Sequence, residues 1–214
     1  MRIERFYNKE CFGNSYTVIL NDEFFMIDCT QSIESITQKL GCIKVGNQIF
    51  GTGEKVLTLK GIIITHGHYD HICNLPEWVN LGVKIFATES AFTKMQNADN
   101  MAKCFNKDFR LDIKTDQKII LDNKDEIEIC GAVVKIYHLC GHTDCSIAIE
   151  ISGHIFVGDI IFNKGMYGRC DGATGSESDM AKSLQFLNTL PDDLFVHSGH
   201  GLGFRLGDFK PYKM

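Results

Sequence analysis

Residues 59–71 read LKGIIITHGHYDH. The first part is a short, nearly continuous apolar run of the kind that suits a strand buried on both faces. It delivers His66 into a loop, and that loop places His66, His68, Asp70 and His71 within six residues. Imidazole and carboxylate are groups that suit zinc, iron or manganese. In a loop, alternate residues can turn to one ion while their neighbours reach a second. The chain has only eight histidines. Three of them in six positions therefore fit a metal site far better than a hydrophilic turn.

Three further donors stand at the ends of apolar runs. His142 follows VVKIYHL in CGHTDCS, Asp159 ends HIFVGD, and His200 lies in HSGHG after DLFV. Each sits beside glycine at a strand end, where loops gather functional groups. Alone, each reads as readily as a solvated or capping residue. Their weight comes from combination with the first motif.

The rest of the chain sets the frame. Its 214 residues suit one compact domain over 1–214. A hydrophobic share of 44% and a charged share of 23% are those of an ordinary globular protein. A net charge of −5 disfavours a nucleic-acid polyanion as partner. No apolar run is long enough to span a bilayer, and the start, MRIERFYNKECFGNSYTVIL, lacks the features of a secretory leader. The expectation is a cytoplasmic protein with a small-molecule substrate and no nucleic-acid or membrane partner. Nine cysteines without a CxxC pair are expected to be free thiols.

Patterning predicts a hairpin from SYTVIL and EFFMID about Asn21-Asp22, then a helix over QSIESITQKL ended by Gly41. LPEWVNLG reads as a short helix with proline in its first turn. VKIFATE reads as a strand, and ESAFTKMQNADNMAKCF as a helix broken near Asn97. KIILD is a strand, EIEICGAVVKIYHL a strand bent at Gly131, and CSIAIEISGHIFVGD a hairpin turning at Ser152-Gly153. SESDMAKSLQFLNTLP carries an N-terminal capping pattern and helical spacing. The Gly-rich stretch over 41–56 reads as a pocket rim or a surface loop. The order β-rich, helix, β-rich, helix suits two sheets sandwiched between helices.

THGHYDH, then GHT, GD and GHG, in that order, resembles the signature of the metallo-β-lactamase superfamily along nearly the whole chain. GDIIFNKGMYGRCDGATGSESDMAKSLQFL and MQNADNMAKCF are similar to glyoxalase-II-like members of that family. The resemblance implies an α/β (α+β) fold, the four-layer αββα sandwich. It implies that His66, His68 and His142 hold a first metal and Asp70, His71 and His200 a second, with Asp159 bridging. The implied cofactors are two divalent ions, zinc ahead of iron or manganese. The implied activity is hydrolysis of a small thioester, ester or lactone by a hydroxide between the ions, with Asp70 also orienting the nucleophile. The alternative is a mononuclear non-haem iron oxygenase of the persulfide dioxygenase type.

The resemblance also makes Arg169 the candidate contact for a substrate carboxylate, against the plainer reading of an arginine tied to Asp171 or Asp179. Tyr69 is expected to pack beneath the loop, and Cys145 to be a loop thiol rather than a nucleophile. His138, His154 and His197 match no motif position and are expected to be structural. The chain departs from the family where Asp144-Cys145 replaces a usual Pro-Gly, and in the stretch after His200.

Overall fold

The computed structural model describes residues 1–44, 46–47, 49–52, 55–122 and 124–209. The chain divides into two compact units, one of Met1–Asp122 with Ile129–Gly131 and one of Asn123–Glu128 with Ala132–Met214.

In the first unit, β1 (Arg2–Tyr7), β2 (Asn14–Leu20) and β3 (Glu23–Ile27) form an antiparallel meander. The β2–β3 hairpin closes with Leu20 opposite Glu23, and Asn21 takes the positive φ of 55° that such a turn needs and asparagine tolerates. Helix α1 (Ile33–Leu40) starts where Ser32 Oγ accepts the Ser35 N–H at 3.2 Å, and Gly41 caps its end in the left-handed region. β4 (Ile43–Lys44) and β5 (Ile49–Thr52) then lead into β6 (Lys55–Ile63).

The Gly-rich stretch is therefore strand rather than loop: β4 pairs with β5 and β5 with β6, extending the sheet, and the Phe50 side chain is fully buried. Val45, Gln48, Gly53 and Glu54 of that stretch lie outside the described residues. Short helices α2 (Tyr69–Ile72) and α3 (Leu75–Val79) follow β6, with Pro76 in the first turn of α3. β7 (Ile85–Ala87), α4 (Glu89–Gln96), α5 (Asp99–Cys104) and β8 (Lys118–Ile120) complete the unit. The expected break between α4 and α5 falls at Asn97.

Strand order in this sheet is β1-β2-β3-β6-β5-β4, with β7 joining β6 to β8. β6 pairs in parallel with β3, then with β7 at Ile62 and Ile63. Its first half alternates in burial, but Ile62, Ile63 and Ile64 are all fully buried. The both-face burial read from the sequence thus belongs to the half that feeds the histidine loop. Phe24 meets Phe50 edge-on at 5.5 Å, Trp78 lies beyond Phe50, and its Nε1–H donates to the Gln31 carbonyl at 2.9 Å. Burying each phenylalanine contributes about 1.5–3 kcal/mol.

The second unit takes in β9 (Glu126–Ile129) up to Glu128 and all of β10 (Ala132–His138). These are neighbouring strands, not one bent strand: Cys130 and Gly131 both take positive φ, 54° and 69°, and turn the chain back on itself. β11 (Ile147–Ile151) and β12 (His154–Gly158) form the expected hairpin at Ser152-Gly153. A two-stranded ribbon, β13 (Ile161–Phe162) with β14 (Met166–Tyr167), precedes α6 (Glu177–Leu187). Ser176 Oγ caps α6 by accepting the Asp179 N–H, as the capping pattern requires. β15 (Phe195–Ser198), β16 (Phe204–Arg205) and α7 (Leu206–Phe209) end the chain's described part. The sheet order is β16-β15-β12-β11-β10-β9, with β12 and β15 parallel. Met180 and Leu187 of α6 pack with Ile155, Val157 and Val196 from its strands.

His154 and His197 are built into this sheet. The His197 ring stacks on Phe156 at 4.4 Å, and its Nε2 shares a hydrogen bond with His154 Nδ1 at 3.0 Å. Burial first, and the neighbouring His154 second, hold the His197 pKa down to about 3. The unfolded chain takes up this proton near pH 6.5 and the folded chain refuses it. The contribution is whole above about pH 6.5 and is lost as pH falls from there towards 3, by up to about 1.4 kcal/mol per pH unit. We expect His197→Gln to flatten the acid limb of a melting-temperature profile. An unchanged limb would show that other groups set it.

Among the described residues, no helix is long and apolar enough to cross a membrane. All nine cysteines are free thiols, as expected.

Candidate metal centre

In the first unit, the backbone leaving β6 is tied at Thr65. Its N–H donates to Asp28 Oδ1 at 2.8 Å, and its hydroxyl donates to Asp28 Oδ2 at 2.9 Å. Asp28 directly follows β3, has φ 56°, and is buried. Its Oδ2 also accepts from Nδ1 of His71 at 2.7 Å. A carboxylate oxygen accepts, so Nδ1 of His71 carries the proton and Nε2 is the lone-pair nitrogen. That is how an outer carboxylate orients a metal-binding imidazole. The rings of His68 and His71 both lie against that of His66, at centroid distances of 4.6 and 4.2 Å. His66 and His68 offer ligand atoms within 4.8 Å of each other, and so do Asp70 and His71. Asp70 and His71 stand on α2, and a Cβ on Gly13 would lie 2.2 Å from the Asp70 carbonyl oxygen. Only glycine lets the β1–β2 loop rest there.

In the second unit, His142 Nδ1 donates to the carbonyl of Arg169 at 2.8 Å. A carbonyl cannot donate, so His142 Nε2 holds the lone pair in the neutral ring. That nitrogen faces Asp159 Oδ2 at 3.7 Å, and His200 Nε2 faces the same oxygen at 3.3 Å. Asp159 is 7% exposed. A lone pair opposite a buried carboxylate is repulsive unless a cation or a second ring proton intervenes. The arrangement therefore fits divalent cations lying between this carboxylate and the two rings. Gly168 makes it possible: a Cβ there would lie 2.0 Å from the Asp159 carbonyl oxygen and 3.1 Å from Cβ of His142. The loop is held by Thr143 and Ser146, whose hydroxyls are 2.7 Å apart, and by Ser198 Oγ, which donates to the Ile161 carbonyl at 2.7 Å.

Residues 8–200 match the metallo-beta-lactamase superfamily. The chain belongs to that superfamily. Among curated proteins it is 26% identical over 182 residues to BaeB of Bacillus velezensis, a probable polyketide biosynthesis zinc-dependent hydrolase, covering 85% of this chain and 68% of that one. It is 29% identical over 154 residues to a hydroxyacylglutathione hydrolase of Prochlorococcus marinus, covering 69% of this chain. The match spans only 53% of that hydrolase, about half its length. Among solved structures, the BLEG-1 B3 metallo-beta-lactamase superposes with a TM-score of 0.78 at 19% identity, over 97% of this chain and 95% of that one. TTHA1623 in a di-iron-bound form gives 0.70 at 24% identity, over 92% and 91%. The metallo-β-lactamase fold implied by the sequence is thus the fold of this chain.

For this superfamily member, several roles read from sequence take a definite shape. Tyr69 is buried between Phe105 and Phe109, and burial pushes its hydroxyl pKa up to about 12. It packs, as expected. Cys145 is buried with its Sγ 3.2 Å from the Thr143 hydroxyl, a loop thiol. The Arg169 side chain is exposed and makes two bonds to Asp171, at 2.9 and 2.8 Å. This is the plainer of the two sequence readings, and it is the Arg169 backbone carbonyl that reaches a metal-ligand candidate. Sequence reasoning missed that carbonyl, and it missed Asp28 and Thr65. Asp28 had one available signal: a carboxylate closing the apolar run EFFMI.

Proposed function

We propose that this protein is a two-metal hydrolase acting on a small thioester, ester or lactone. In this reading His66, His68 and His142 hold one ion, Asp70, His71 and His200 the other, and Asp159 serves both. Two divalent ions bound there would supply an acidified water and a Lewis acid for the substrate carbonyl. The observation that carries the proposal is the buried Asp159 carboxylate facing two imidazole nitrogens. Family membership and the zinc-dependent relative support it.

The chain's own groups have distinct tasks. Asp28 and the Arg169 carbonyl fix the tautomers of His71 and His142. The Asp70 carboxylate orients the attacking water by accepting its hydrogen bond. No serine or cysteine nucleophile is required. Arg169 serves a substrate carboxylate by exchanging Asp171 for it, a contact its exposed, planar fork allows.

The test is metal content of the purified chain by elemental mass spectrometry, followed by a panel of thioesters, esters and lactones. Two zinc ions, or zinc with iron, per chain and turnover of one class are expected. One iron per chain, no uptake of a second metal, and oxygen consumption with a persulfide would replace the hydrolase by the oxygenase.

A further inference from the structure

Cys11 and Cys73 stand outside the proposed ligand set, yet both touch the helix that carries Asp70 and His71. Cys11 Sγ donates to the Asp70 carbonyl at 3.5 Å, and Cys73 is the C-terminal cap of α2. The two residues are 62 positions apart in sequence, but their sulfurs are 3.3 Å apart. Backbone packing brings them together, since Gly13, two residues past Cys11, lies against the Asp70 carbonyl. The sulfur of Cys73 is also held from its other sides. The side-chain amides of Asn8 and Asn74 each donate to it at 3.6 Å, and its thiol points to the Thr30 carbonyl at 3.7 Å. A cavity of about 220 Å³ opens on the pair, lined also by Tyr69, Phe105, Lys107 and Asp108. Its size admits several waters, and so a molecule as small as hydrogen peroxide.

We propose that Cys11 and Cys73 form a modification site, a dithiol that hydrogen peroxide closes to a disulfide beneath α2. One sulfur attacks a peroxide oxygen. The O–O bond breaks, the thiol proton leaves with the departing hydroxide as water, and the sulfur becomes a sulfenic acid. The second sulfur attacks the first, the S–O bond breaks, and its proton leaves with that hydroxide as a second water. Two thiols lose two electrons and peroxide becomes two waters. The sulfurs must approach to about 2.05 Å, a movement of little more than about 1 Å, within what side-chain rotation supplies. Closure removes the thiol hydrogen of Cys11 and with it the bond to the Asp70 carbonyl. The site is therefore wired to the backbone of a candidate ligand, although the disulfide itself requires no metal.

The experiment exposes the reduced full chain to hydrogen peroxide, alkylates remaining thiols with iodoacetamide, and maps the digest by mass spectrometry. The expected product is a linked peptide pair joining Cys11 to Cys73, lighter by two hydrogens, with both alkylation labels lost together and both restored by dithiothreitol. Cys11→Ser and Cys73→Ser should each abolish the link. Cys104→Ser, at an exposed thiol, should leave it intact. If Cys11 and Cys73 stay alkylatable while Cys104 is oxidised, or if either links to another cysteine instead, the proposal is overturned. The mapping uses neither metal nor substrate, so its outcome is separate from that of the hydrolase reading.

Discussion

We expect Asp159→Asn to lower kcat/KM of the proposed hydrolysis by about a thousandfold or more, while the metal-free chain folds at least as well as the parent. The two halves of this expectation have opposite causes. Asp159 Oδ2 stands 3.7 Å from His142 Nε2 and 3.3 Å from His200 Nε2, so one carboxylate organises the two candidate ligand imidazoles of the second unit. Asparagine keeps the shape but removes the charge and turns one oxygen into a donor. Metal uptake should then fall from two ions per chain to one or none. In the metal-free chain the same change removes a buried charge whose desolvation is costly, so stability should hold or rise. Activity, metal content and melting temperature measured together separate the cases. A variant that keeps two metals and near-parental turnover would remove Asp159 from the centre. One that loses metal because it no longer melts cooperatively would mark Asp159 as structural.

How much of this was legible beforehand follows from the range of the interactions. The donors in THGHYDH were legible because they are local: an apolar strand runs straight into a cluster of imidazoles. The Asn21 turn, the Gly41 and Ser176 caps and the Ser152-Gly153 hairpin were legible for the same reason. Strand β1 went unread, since its side chains are mostly exposed or half-buried and give little pattern. β4 and β5 were hidden by glycines, and only pairing with β6 makes them strands. The Cys130-Gly131 turn looked like a bend because the apolar run continues through it. What supports the donors was least legible. Asp28 and His71 are 43 residues apart, and the Arg169 carbonyl that orients His142 has no sequence signature at all. A sequence displays the atoms that do chemistry more readily than the atoms that aim them.

Asp28→Asn tests that aiming directly. Asp28 accepts three kinds of bond: from the Thr65 N–H, from the Thr65 hydroxyl and from His71 Nδ1. Asparagine fits the same space and its oxygen can still accept the Thr65 N–H. Its amide nitrogen then lies where Oδ2 lay, facing His71 Nδ1, and two donors cannot face one another. The ring must shift its proton to Nε2, and that nitrogen loses the lone pair a metal needs. We expect affinity for the ion on the Asp70 and His71 side to fall by about 10–100-fold, the usual consequence of losing an outer carboxylate. The first ion should be held nearly as before, because His66 has its own contact: its Nδ1 donates to the Thr65 hydroxyl oxygen at 3.2 Å. Metal titration followed by elemental analysis reads this as a split between a tight and a weakened site. Histidine nitrogen chemical shifts should show the exchanged tautomer of His71 in the metal-free chain. Weakening of both sites to the same degree would mean that Asp28 supports the loop as a whole. Two sites of unchanged affinity would show that His71 does not depend on Asp28 for its tautomer, and the outer carboxylate would lose its role in the centre.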